Sequence, residues 1–214
     1  MEIEAFRDIH VIEDELESRF REFDYCIPMV EPDGFFLEFG VWKAKSINYM
    51  ASLKPENHFY GFDTFEGVAE EWVYTDQKNV NMKKFSCDGR LPDVLPNVTL
   101  VKGLFQETLP DWKEQVLKDQ KISFINADAD LYSSTKYFLS ELNENIVTGT
   151  IIRFDEISDW RYLKYGTGKK SKNRYTKWQE GEWKALNEWI QEYDREVQPL
   201  WRSNQYSAGV KVVR

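Results

Sequence analysis

Acidic residues recur along this chain at the ends of short apolar runs, a spacing that could bind a polar ligand or a cation. Glu38 sits near the end of Phe35-Phe36-Leu37-Glu38-Phe39 and is followed by Gly40; Asp63 follows His58-Phe59-Tyr60-Gly61-Phe62. Asp128 and Asp130 follow Ile122 to Ala127, and Asp155 and Glu156 follow Thr150 to Phe154. A glycine such as Gly40 lets backbone approach a ligand closely. An acid about 25 residues after Glu38 can accept hydrogen bonds from both hydroxyls of a ribose. The bland reading of Asp63 is a loop acid capping a turn. Asp128, Asp130, Asp155 and Glu156 leave two runs which, as neighbouring strands about 5 Å apart, could bring their oxygens together. Hard oxygen ligands of that number suit Mg²⁺. Without a cation they would repel one another and their pKa values would rise. The competing reading has only Asp128 or Asp155 facing inward and the rest solvated.

These groups need elements to position them, and the hydrophobic pattern supplies them. The spacing of Ile3, Phe6, Ile9, Ile12, Leu16, Phe20 and Phe23 predicts an N-terminal helix within residues 1–30. Five apolar runs (35–39, 58–62, 97–101, 122–127 and 150–154) predict buried strands, the third ending at Gly103. Helices are expected from Ser46 to Leu53, Leu109 to Lys118, Ser133 or Ser134 to about Asn145, and Glu182 to Tyr193. Two closing β-like segments, 196–201 and 206–213, flank a turn at Ser203-Asn204-Gln205 and should pair antiparallel, because parallel neighbours need a long crossover. Strands alternating with helices give an α/β fold with a mostly parallel sheet and helices on both faces. Open sheets of this kind bind ligands at the carboxyl ends of their strands, where the acids lie.

Bulk properties narrow the function. At 214 residues, 42% hydrophobic and 30% charged, the chain is expected to form one globular domain over 1–214. A net charge of −9 argues against nucleic-acid binding, which needs clustered Lys and Arg. No apolar run approaches the roughly 20 residues that span a bilayer, and the acidic N-terminus lacks the apolar core of a signal peptide. Cys26 and Cys87 form no metal-binding spacing and read as reduced thiols of a cytoplasmic protein. One basic stretch stands out: Lys164, Lys169, Lys170, Lys172, Arg174 and Lys177, just after Arg161. It reads either as part of a substrate lid over 157–178 that gathers an anionic acceptor or as a solvated loop. His10 and His58 read as structural. The full G-x-G-x-x-G fingerprint of dinucleotide sites is absent, since Gly40-Val41-Trp42-Lys43-Ala44-Lys45 carries only its first glycine. That weakens a nicotinamide-dependent oxidoreductase. A non-catalytic protein on the same fold is the other alternative.

The motifs together resemble a known family. Glu38 to Asn48 resembles the first motif of the macrocin O-methyltransferases, Tyr60 to Gly67 with Glu71-Trp72 the second, and Lys102 to Phe105 with Thr108-Leu109-Pro110 the third. Asp128 to Thr135 and Gly149 to Glu156 resemble the last two, in order, across about residues 35 to 160. The resemblance implies a Rossmann-like class I methyltransferase sandwich, a mostly parallel seven-stranded sheet with an antiparallel last strand. It implies S-adenosyl-L-methionine as cofactor, Mg²⁺ as in several members, and a small-molecule, sugar-like acceptor; an anionic acceptor is what the basic stretch suggests, and the chain is either a monomer or a homo-oligomer. Carried over by position, Glu38, Gly40 and Ser46 would cradle the methionine part of the cofactor. Asp63 with Thr64 would hold the ribose, and Gly103 and Phe105 would border the adenine. Asp128, Asp155 and Glu156 would bind the metal. From the chemistry of the cluster, and not from the resemblance, Asp128 and Asp130 read as the catalytic carboxylates, a free Asp130 taking the acceptor's proton. Two departures are visible: Ala44-Lys45 stands where the family often has glycines, and the metal pair reads Asp-Glu where Asp-Asp is common.

Overall fold

The computed structural model describes residues 1–13, 19–75, 78–166, 168–170, 172 and 174–214. In chain order the elements begin with a 3₁₀ turn at Ile3–Phe6, β1 (His10–Ile12), α1 (Arg19–Cys26), β2 (Phe35–Phe39), α2 (Lys45–Leu53) and β3 (Phe59–Asp63). A small hairpin of β4 (Trp72–Thr75) and β5 (Lys78–Val80) precedes β6 (Val98–Lys102) and α3 (Phe105–Trp112). Then come β7 (Ile122–Ala127), α4 (Tyr132–Glu141), β8 (Ile146–Phe154), α5 (Glu182–Glu192), β9 (Val197–Ser203) and β10 (Ala208–Val212).

Eight strands form one sheet in the order β1-β9-β10-β8-β7-β2-β3-β6. Only β10 runs against its neighbours, pairing antiparallel with both β8 and β9. The closing pair therefore behaves as its short connection requires. The sheet has eight strands rather than seven because β1 adds to its edge, parallel to β9. Here the sequence reading is corrected. The N-terminal stretch is not one helix: Ile3–Phe6 forms a single 3₁₀ turn, His10-Val11-Ile12 pairs with Trp201–Ser203, and only Arg19–Cys26 is α-helical. β-branched residues beside an open sheet edge find backbone partners there that override a helical apolar spacing. Leu16, part of that spacing, lies outside the described residues.

Two other boundaries move. α3 begins at Phe105, four residues earlier than expected, and keeps Pro110 inside before a π-helical turn at Lys113–Leu117. α4 begins at Tyr132, and its N-cap Leu131 gives no side-chain cap, so neither Ser133 nor Ser134 caps it.

Helices cover both faces. On one, Phe105, Leu109 and Trp112 of α3, Phe138 and Leu139 of α4 and Leu186 and Trp189 of α5 pack on Leu37, Phe39, Ile125, Ile152 and Phe154. On the other, Phe23 and Cys26 of α1 and Ile47, Met50 and Ala51 of α2 pack on Phe36, Phe59, Phe124 and Ile151. The alternation along each strand places its odd and even residues in different layers. β2 neighbours both β3 and β7, so the chain reverses its direction of winding beside β2.

Candidate functional site

The reversal opens a cleft beyond the carboxyl ends of the strands, as the geometry of doubly wound sheets requires. Backbone hydrogen bonds carry the register past the strand ends: Gly40 donates to Phe62, Asp128 to Phe39, and Asp155 to Ala127, each at 2.9 Å. The result is a cavity of about 890 Å³ lined from these ends, wide enough for a ligand the size of a nucleoside with an appendage.

Gly40 has φ +90°, and a Cβ there would lie 1.8 Å from the Asp128 carbonyl oxygen. No other residue lets β2 and β7 approach this way. Asp63, at the end of β3, pins both the loop after β2 and the loop after β3. Its Oδ2 accepts the N–H groups of both Val41 and Trp42 at 2.8 Å, and its Oδ1 accepts that of Phe65 at 2.7 Å. Gly40, Ser46, Asp63, Thr64 and Phe105 line the cavity. Glu38 and Gly103 are not among its lining residues. Glu38 is wholly buried and accepts Asn126 Nδ2 at 2.7 Å; Gly103 donates its N–H to Asp63 O at 3.0 Å.

Opposite this loop, one ligand oxygen each from Asp128, Asp130 and Glu156 lie within 4.8 Å of one another. Asp130 reaches this position with φ +62°, a conformation aspartate tolerates better than most residues. Glu156 Oε2 is sealed from solvent and lacks a hydrogen-bond partner. Burial first, then the neighbouring Asp155, Asp130, Asp128 and Glu182, holds the Glu156 carboxyl well above the usual carboxylate range. These three residues therefore fit a cation: an orphaned buried oxygen and mutual repulsion are what a divalent ion relieves. Asp155, also expected among the ligands, lines the same cavity and accepts Arg153 Nη2 through Oδ1 at 2.5 Å; Asp130, not expected among the ligands, belongs to the group of three.

Several residues of the site escaped the sequence reading. Arg153 is wholly within the sheet, and the register aligns it with Asn126 on β7 and Glu38 on β2. The three form a hydrogen-bonded row, Arg153 Nη1 to Asn126 Oδ1 at 2.9 Å and Asn126 Nδ2 to Glu38. Glu22 of α1 closes the row, accepting Arg153 Nε at 2.8 Å and Ser207 Oγ at 2.6 Å. Burial pushes the Glu22 carboxyl up despite the guanidinium. A charged residue in the apolar run Thr150 to Phe154 was the available signal, since a buried Arg needs partners. Glu182, the first residue of α5, is fully buried and accepts the backbone N–H of Glu156 at 2.9 Å. No spacing in the sequence links it to the site.

Tyr206 lines the far wall. Its hydroxyl accepts Tyr74 at 2.9 Å and also Arg161 Nη2, and the Arg161 guanidinium lies 4.4 Å over its ring. Tyr74 stacks on Tyr175 with centroids 4.7 Å apart, so the β4–β5 hairpin braces this wall from outside. No described residue of 157–178 lines the cavity. Asp159 anchors the segment, accepting Arg161 Nε and the Tyr175 N–H at 2.8 Å, while Lys164, Lys169, Lys170, Lys172 and Arg174 are exposed. No described helix is long and apolar enough to cross a membrane.

Comparison with known proteins follows the same lines. The model of the macrocin O-methyltransferase (TylF) family matches residues 15–174. Among solved structures, CalS11, a TDP-rhamnose 3′-O-methyltransferase of calicheamicin biosynthesis, is similar with TM-score 0.61 and 22% identity over 91% of this chain and 78% of that one. The O-methyltransferase NovP gives TM-score 0.56 and 17% identity over 92% and 80%. MycE of mycinamycin biosynthesis, solved with Mg and S-adenosylhomocysteine, gives 0.54 and 13% over 94% and 51%. No curated protein sequence matches the chain.

Proposed function

The chain belongs to the macrocin O-methyltransferase family and is an S-adenosylmethionine-dependent methyltransferase, and we propose that its cleft methylates the hydroxyl of a small, sugar-like acceptor with a divalent cation assisting. The carrying observation is that the loop after Gly40, held by Asp63, and the Asp128, Asp130, Glu156 cluster face one cavity. A methyl on a sulfonium is already activated, so the protein's task is alignment and proton removal. Alignment alone contributes roughly 7–11 kcal/mol.

Gly40, Ser46, Asp63, Thr64 and Phe105 line the cofactor half. Glu38 and Gly103 shape it from behind, Glu38 by fixing Asn126 and Gly103 by its bond to Asp63. Asp63 already holds Val41 and Trp42 through one oxygen, and each carboxylate oxygen can accept further bonds, which leaves room for ribose hydroxyls. Asp128, Asp130 and Glu156 would hold the cation, which when bound supplies Lewis acidity that lowers the acceptor's pKa. Asp155 orients Arg153 beside that set, and Asp130 receives the acceptor's proton.

The test is methyl transfer from radiolabelled cofactor to a panel of sugar and phenol acceptors, with and without EDTA. Verified metal removal should lower the rate by about 10²-fold, with Mg²⁺ restoring it. Full retention of rate in metal-free protein rejects the cation, and an absence of transfer to every hydroxyl acceptor rejects the acceptor class.

A further inference from the structure

The strand ladder stops short of Glu156. The Asp155 N–H still reaches Ala127 O at 2.9 Å, but the next N–H along, that of Glu156, meets no strand. Glu182 takes it instead, through Oε2 at 2.9 Å, from 26 positions further on. Glu182 is the first residue of α5 and is fully buried. A buried glutamate is ordinarily paired with a cation, yet among the described residues no lysine or arginine pairs with this one. Its other oxygen, Oε1, is sealed from solvent and has no hydrogen-bond partner among them. The fold thus places a costly group where its one bond goes to the backbone of a residue of the carboxylate cluster.

The start of α5 is packed so as to bring Glu182 there. Gly181 precedes it, and a Cβ at Gly181 would lie 2.4 Å from Tyr175 Oη, so any side chain would push α5 away from that ring. Tyr175 is itself fixed, since its N–H is donated to Asp159 Oδ2 at 2.8 Å and its ring stacks on Tyr74. Two bonds in succession, Asp155 to Ala127 and Glu156 to Glu182, therefore hold the turn after β8. The direction of the Glu156 side chain follows from the second of them, because that bond fixes the peptide on which the side chain is mounted.

We infer that Glu182 is a positioning residue: by holding the Glu156 N–H it keeps the Glu156 carboxyl turned toward Asp128 and Asp130. This rests on the cation reading of the cleft given above, and the test separates the two. Mn²⁺ is titrated into metal-free wild type, Glu182→Gln, Glu182→Asp and Glu182→Ala, and the free ion is read by electron paramagnetic resonance. Calorimetry measures S-adenosylhomocysteine affinity beside it. Glu182→Gln still offers an oxygen at the same reach, Glu182→Asp keeps the charge but falls one methylene short, and Glu182→Ala has neither. Mn²⁺ affinity should fall about tenfold in Glu182→Asp and Glu182→Ala and stay within about twofold in Glu182→Gln. S-adenosylhomocysteine affinity should be the same in all four. Wild-type Mn²⁺ affinity in Glu182→Ala overturns the inference. A loss in Glu182→Gln as large as in Glu182→Ala overturns it too, by giving the effect to charge instead of the bond. So does a matching loss of S-adenosylhomocysteine affinity, which makes Glu182 a support of the whole cleft. If Glu182→Ala does not fold, Glu182→Gln against Glu182→Asp decides in the same way. Wild-type protein that takes up no Mn²⁺ fails the cation reading itself, and the positioning role falls with it.

Discussion

The row Glu38–Asn126–Arg153–Glu22 crosses three central strands and one helix beneath the cleft. Removing one member of such a buried set leaves charges without partners, which costs about 3–5 kcal/mol. Arg153→Met should therefore lower stability by that order in urea denaturation, read as a fall in midpoint at constant slope. The double variant Arg153→Met with Glu22→Gln should recover part of the loss, because the carboxylate that lost its partner is neutralised. Additive losses would show that the pair does not interact. The charge inside the run Thr150 to Phe154 was visible in the sequence, but its partners were not. Glu22 lies 131 positions away, and only the strand register shows that Arg153 and Glu38 share a row. The carboxylates at strand ends were legible because local pattern alone marks where a strand stops. Which of them converge is a matter of side-chain direction: Asp155 faces Arg153, and Asp130 takes a left-handed backbone to join Asp128 and Glu156.

Among the elements, the alternation of strands and helices was readable because each has its own hydrophobic period, and the short Ser203–Gln205 connection fixed the antiparallel closing pair. What the pattern missed were the segments whose structure depends on a neighbour. β1 exists because β9 offers an edge, and the β4–β5 hairpin is held by Tyr74 and Trp72 against Tyr175. A hairpin of this size is marginal by itself. The Tyr74–Tyr206 hydrogen bond ties it to the cleft wall, which in the proposed function faces the acceptor. Tyr74→Phe keeps the stack and deletes that bond, so Tyr206 loses one of the groups that orient its hydroxyl. The acceptor KM should rise about three- to tenfold, the worth of one hydrogen bond, with cofactor affinity unchanged. A parallel loss of cofactor affinity would mean that the hairpin supports the whole cleft instead of its acceptor side.

At the scale of the molecule, the cleft lies between elements drawn from the whole length of the chain: Phe20 and Glu22 near one terminus and Gln205 to Ser207 near the other both line it. Ligand occupancy should therefore stabilise the whole fold and not one lobe of it. S-adenosylhomocysteine at a hundred times its dissociation constant should add about 2.7 kcal/mol to the folded state. For a chain of this size that corresponds to a rise in Tm of roughly 5–11 °C. NAD at the same concentration should leave Tm unchanged, because the second and third glycines of a dinucleotide loop are missing here: Trp42 and Lys45 occupy those places. The cation belongs to the same measurement. Asp130 and Glu156 stand on opposite sides of the β7–β8 boundary with Asp128, and their repulsion is a standing cost to the empty fold. Mg²⁺ should therefore raise Tm even without cofactor, and Glu156→Gln should raise it in metal-free protein while abolishing the Mg²⁺ response. A metal-free Glu156→Gln protein less stable than wild type would show that the cluster is balanced by the fold and needs no ion.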